Sequence, residues 1–128
     1  MGSITSHRDL EVWRAAIGLV ETCYRTTATF PSDERFGLTA QMREAAVSIV
    51  ANIAEGHGRR TRGAYLHHVR IAAGSLAELD THVELARRLQ MTTDDGWNPM
   101  IAELTRVGRM LSGLIRALER PRATTAEG

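Results

Sequence analysis

The residues most able to do chemistry crowd into one stretch of the chain. Glu55-Gly56-His57-Gly58-Arg59-Arg60-Thr61-Arg62, followed by His67, His68 and Arg70, holds four arginines and three histidines in 16 residues. Guanidinium groups pair bidentately with phosphate. The stretch closes one predicted helix and opens the next, and free backbone N–H groups at a helix start favour anions. These features point to a phosphate or nucleic-acid contact by Arg59, Arg60, Arg62 and Arg70, with His67 as a helper. Taken alone, the stretch reads first as a solvated loop whose arginines pair with acidic neighbours. Assembly into a ring shifts that balance, because several copies on one face multiply a weak contact.

Other chemistries find no support. Glu55 falls at the negative end of a helix, where a carboxylate is unfavourable, and Arg59 or Arg60 would relieve it. No second carboxylate or nucleophile is placed beside it, so no catalytic residue is assigned and no enzyme is expected. Gly56-His57-Gly58 lacks the third glycine of a dinucleotide fingerprint, since Thr61 stands there and no strand precedes it. His67 and His68 point about 100° apart on a helix and do not readily share a metal. His68 and His82 are too distant to pair by helix spacing, and Glu78 to His82 misses the Glu-x-x-His spacing of di-iron bundles. No metal and no cofactor is expected. Trp13 and Trp97 lie on apolar stripes and read as core.

The elements that must position this stretch are helices. At 128 residues, with 43% apolar residues, the chain fits one domain with a real core. The single cysteine, Cys23, excludes an internal disulfide framework and fits a reducing compartment. No apolar run approaches the roughly 20 residues of a membrane span, and the polar start does not read as a signal peptide. Met1 to Ser6 matches an N-myristoylation pattern that is short enough to arise by chance. The net charge of +1 argues against coating nucleic acid over the whole surface. All 16 basic residues are arginine, which fits codon usage in a GC-rich genome as well as phosphate binding.

Periodicity predicts four helices, over about 8–28, 39–55, 62–90 and 94–118, after an N-terminal segment 1–7 and before a disordered tail 121–128. In the first helix Leu10, Trp13, Ile17, Val20 and Tyr24 form the expected core stripe. Ser6 with Asp9 has the spacing of a capping box for it. Gly56 and Gly58 are expected to end the second helix by the left-handed conformation. Thr61 is the candidate cap of the third, and Thr92 or Thr93 of the fourth. Short connections make consecutive helices neighbours, so the expected fold is an all-α, antiparallel up-down-up-down four-helix bundle.

The second helix is apolar over roughly 240° of its wheel, well beyond what one core requires. Gln41, Glu44, Ser48, Asn52 and Glu55 make one narrow polar strip, and everything else from Ala45 to Ala54 is apolar. Val47, Val50 and Ala54 are left over, as are Val12, Ala16, Leu19 and Cys23 of the first helix. Val12, Leu19, Cys23, Val47, Val50 and Ala54 are therefore the expected interface between copies.

Leu10-Glu11-Val12-Trp13, Phe36-Gly37-Leu38-Thr39-x-Gln41-Met42-Arg43-x-Ala45-Ala46-Val47-Ser48-Ile49 and Asn52-Ile53-Ala54-Glu55-Gly56-x-Gly58-Arg59 resemble the four-helix-bundle family of 23S rRNA intervening-sequence proteins. Gly74-Ser75-Leu76-x-Glu78-Leu79 and Leu111-Ser112-Gly113-Leu114 extend the likeness, which covers about Leu10 to Leu118. Related bundles include the accessory variability determinant of diversity-generating retroelements. The resemblance implies a bacterial cytoplasmic protein without an active site, assembled as a ring-like homo-oligomer, most simply a pentamer. It implies RNA, DNA or a ribonucleoprotein as partner, or else a scaffold for an enzyme such as a reverse transcriptase, and no membrane. Val50 stands where the family often has proline, which implies a straighter second helix, and the lysines common on relatives are absent.

Overall fold

In the computed structural model, which describes residues 3–121, the chain folds into four α-helices. The first two residues of the Met1–Ser6 myristoylation pattern and the expected tail beyond 121 lie outside the described residues. The helices are α1 (Glu11–Thr27), α2 (Leu38–Gly58), α3 (Arg62–Arg88) and α4 (Asp94–Glu119), with 3-10 turns at His7–Asp9 and Ser32–Glu34 and no strand among the described residues. Each helix packs on the next and α4 returns to α1, while α1 and α3, and α2 and α4, lie diagonally across the core. The core is therefore a column enclosed by four walls. Its fully buried side chains include Leu19 and Cys23 of α1, Met42, Ile49 and Ile53 of α2, Leu79 and Val83 of α3, and Met100, Val107 and Leu111 of α4. Each large apolar side chain buried there contributes about 2 kcal/mol.

Local chemistry sets the boundaries. The Ser6–Asp9 capping box forms in full, but it caps the first 3-10 turn; α1 starts two residues later, at Glu11, with no side-chain cap. Glu34 accepts the Leu38 N–H at 3.0 Å and caps α2 from the preceding turn. Thr61 caps α3 through the Ala64 N–H at 3.1 Å. Thr93 begins α4 through its backbone carbonyl, which accepts the Gly96 and Trp97 N–H groups.

The expected end of α2 needs correction. Gly56 lies inside the helix, which continues to Gly58, and no described glycine has positive φ. Gly56 is small because α3 lies against it. A Cβ there would stand 2.8 Å from His68 Cβ and 3.2 Å from the Tyr65 carbonyl oxygen. The left-handed residue is instead Gln90, at φ 57°, just past α3. Its N–H reaches the Arg87 carbonyl at 3.0 Å and the Met91 N–H reaches Ala86 at 2.9 Å, the paired bonds of a Schellman end. A side chain in this conformation costs about 1 kcal/mol that glycine avoids. Gln90→Gly is therefore expected to stabilise the protein by about 0.5–1 kcal/mol, read as a higher urea midpoint with unchanged m-value.

The first helix is rotated relative to the expected core stripe. Val12, Ala16, Leu19 and Cys23 are buried inside the single bundle, so Val12, Leu19 and Cys23 do not belong to an exposed face between copies. Their stripe carries two small residues, Ala15 and Ala16, which let α1 approach its neighbours closely. The bulkier Leu10, Trp13 and Val20 sit half-buried at the edge of the core, Ile17 is also half-buried, and Tyr24 is 42% exposed. Trp13 is thus a rim residue under His7 and Arg8, whereas Trp97 is buried as expected. On α2 the residues named for that face differ in exposure. Val47 is 42% exposed, and Val50 and Ala54 are half-buried beside it.

Candidate nucleic-acid interface

The arginine stretch sits where α2 ends and α3 begins, held by the Gly56 contact. Arg59 donates to Glu55 at 2.7 Å, one helical turn back. That bond, with the nearby His68 as a lesser cause, holds the Glu55 carboxyl below its ordinary range. Arg59 is thus the partner expected for Glu55, although both side chains are about half exposed and the pair adds little stability. Arg70 pairs with Glu119 of α4 at 2.6 Å.

Arg62 does something different. Its Nε donates to the Leu118 carbonyl at 2.9 Å, and one terminal nitrogen donates to Ala117 at 2.8 Å and Arg120 at 2.6 Å. These are the unsatisfied carbonyls of the last turn of α4, where a cation also opposes the negative end of the helix dipole. Arg62 is therefore the cap of α4 rather than a free phosphate ligand. Arg60 is exposed, with no hydrogen bond or ion pair among the described residues, and His67 is exposed with its ring edge-on to His68 at 5.3 Å. The structure thus brings the five expected residues to one end of the bundle, but ties three of them to internal partners.

A polar seam was not foreseen. Of the α2 strip, Gln41 and Glu44 are exposed, whereas Ser48, Asn52 and Glu55 meet α3. His68 Nδ1 is 3.1 Å from Asn52 Oδ1 and its Nε2 is 3.7 Å from Glu55. Asn52 donates to the Ser48 carbonyl and hydroxyl at 2.9 and 3.2 Å, and Ser48 shares a 2.8 Å hydrogen bond with Ser75. The signal was present as His68 and Ser75 at a seven-residue spacing, which returns to the same helix face. No serine touches the histidine, so the seam orients polar groups without forming a nucleophile–base pair. Among the described residues no three metal-ligating side chains converge. Burial pushes the Cys23 thiol up to about 11, which leaves it protonated and inert.

The balance of charge along the bundle is more informative than any single residue. Tyr24 and Thr27 at the end of α1 meet Arg43 near the start of α2, and Thr26 meets Gly96 at the start of α4. Arg62 ties the start of α3 to the end of α4. One end of the bundle therefore gathers segments 7–14, 55–70 and 116–120, with eight arginines against four carboxylates. The other gathers segments 21–44 and 78–95, with five arginines against nine carboxylates. A net charge of +1 thus conceals a basic end and an acidic end.

The chain matches the family described as 23S rRNA-intervening sequence protein over residues 8–113. Its fold is similar to a crystal structure from Bacteroides thetaiotaomicron, a protein of unknown function from the S23 ribosomal protein family. The TM-score is 0.74 at 19% identity, covering 82% of this chain and 98% of that one. No curated protein matches the chain. The helical architecture and the match along most of its length together place the chain in the 23S rRNA-intervening sequence protein family.

Proposed function

We propose that this protein is a non-catalytic, self-assembling bundle that presents its arginine-rich end to the phosphates of RNA. The separation of charge between its two ends carries the proposal. A surface that concentrates positive charge on one end attracts a polyanion without being basic overall. The meeting of helix ends described above supports an antiparallel up-down-up-down order. The apolar side chains left at the outer edge of α1 and α2 support self-association, and a ring would place all the basic ends on one face. The lone buried thiol fits the reducing cytoplasm.

Arg60 and Arg59 are the phosphate ligands of this reading, since Arg60 is unengaged and the Arg59–Glu55 pair is exposed and exchangeable. Filter binding to a structured RNA at two salt concentrations tests it. Arg59→Ala with Arg60→Ala is expected to weaken binding and to reduce the salt slope by about 1.5–2, one phosphate contact per arginine. Arg87→Ala with Arg88→Ala, at the acidic end, is expected to leave both unchanged. Equal affinity for the wild type and the Arg59/Arg60 double variant refutes the proposal. A second reading, a scaffold for a partner enzyme such as a reverse transcriptase, is favoured by the internal engagement of Arg62 and Arg70. It predicts protein capture with no salt-sensitive RNA binding.

A further inference from the structure

A groove of about 550 Å³ opens between α3 and α4, on the wall of the bundle opposite the α1–α2 edge. It exists because its sides are small. Ala73 and Ala77 line it on α3, and Gly108 and Ser112 line it on α4, above a floor of Leu76, Leu104 and Leu111. Gly108 helps keep it open, since a Cβ would stand 3.2 Å from Leu76 Cδ2 and push that side chain aside. Exposed Arg109 and Arg116 rim the α4 side, and exposed Asp80 lies on the α3 side.

The opposite edge has complementary features. Ile17, Val20 and Tyr24 of α1 and Val47 and Val50 of α2 make an apolar ridge, with Arg43 lying over the Tyr24 ring at 4.4 Å to join the two helices. Glu21, one turn beyond Ile17, and Glu44, one turn before Val47, are exposed beside it. Neither glutamate, and neither groove arginine, has an ion pair among the described residues. Large apolar side chains flanked by two carboxylates thus stand on one wall, and a small-walled apolar recess with two guanidiniums on its α4 rim and Asp80 on its α3 rim lies in the other.

We infer that the groove is the receptor for the α1–α2 ridge of a second copy of this chain. The contact is heterologous, each copy offering a ridge on one wall and a groove on the other, an arrangement that builds a ring when its rotation closes and a filament when it does not, rather than a two-fold pair. This rests on the self-association proposed above and specifies its geometry. Glu21 and Glu44 of one copy then face Arg109 and Arg116 of the next, fixing register at the rim.

The test measures mass by light scattering for two variants with exposed substitutions, so that each still folds, checked by circular dichroism. Ala77→Glu places an acid at the lip of the groove, and Val47→Arg breaks the ridge. Each alone is expected to fall to the single-chain mass of 14.1 kDa. Mixed, they are expected to form a pair of twice that mass, because an intact ridge from one meets an intact groove from the other. An assembled wild type with an Ala77→Glu variant of unchanged mass overturns the groove assignment alone. Failure of the two single-chain variants to pair when mixed also overturns it. A wild type that is itself a single chain removes both the inference and the self-association beneath it.

Discussion

Arg62→Ala is expected to lower the melting temperature by about 10 °C. The side chain makes three charge-assisted hydrogen bonds to carbonyls at the end of α4. Such bonds contribute about 1.5–3 kcal/mol each when isolated, but three on one half-exposed group are not additive, and about 2–4 kcal/mol in total is the reasonable scale. For a domain of this length, each kcal/mol moves the midpoint by roughly 3–4 °C. Arg62→Lys is expected to recover only part of the loss, because an ammonium cannot reproduce a fork reaching carbonyls on both sides. Scanning calorimetry reads both variants. A change under about 2 °C, accompanied by lost RNA affinity, would restore Arg62 to the phosphate ligands. The fall in stability also means that an alanine triple variant including Arg62 confounds unfolding with lost binding, so the binding test rests on Arg59 and Arg60.

Leu19→Ala is the second large effect. The side chain is fully buried in the core. Truncating a leucine at such a site costs about 2–5 kcal/mol through lost transfer energy and the cavity left behind. Ile17→Ala, two residues earlier on the half-exposed edge, is expected to cost under about 1 kcal/mol of bundle stability while reducing the assembled mass. Urea midpoints at one fixed protein concentration, read beside light scattering, separate the two. If Ile17→Ala proves the more destabilising and Leu19→Ala leaves the fold intact, the assignment of faces on α1 is reversed.

That pair of residues also shows what the sequence could and could not reveal. The four helices, the Thr61 cap, the Arg59–Glu55 pair and the apolar excess of α2 follow from local spacing, and all but the last are decided within four residues. The excess on α1 was equally visible, but periodicity delivered two neighbouring apolar stripes and no means of ranking them. Side-chain bulk favoured Trp13, Ile17 and Tyr24. Close helix approach favoured the stripe with Ala15 and Ala16, and packing chose the latter. Arg62 was legible as a cation at a helix start, yet its partners are more than fifty residues away and were invisible to spacing. The partners of Ser48 and Asn52 were not legible because His68 and Ser75 belong to another helix. The charge asymmetry likewise emerges only when the helix ends are brought together; summed along the chain it vanishes into a net +1.

The proposed self-assembly depends on one property: α1 and α2 carry apolar side chains that a single bundle leaves at its surface. The mass of the purified wild-type protein at high concentration, measured by light scattering after gel filtration, tests this most directly. A particle of several subunits, shrinking when Val47 is replaced by arginine, is the expected result. A particle that stays at 14.1 kDa at every concentration contradicts it.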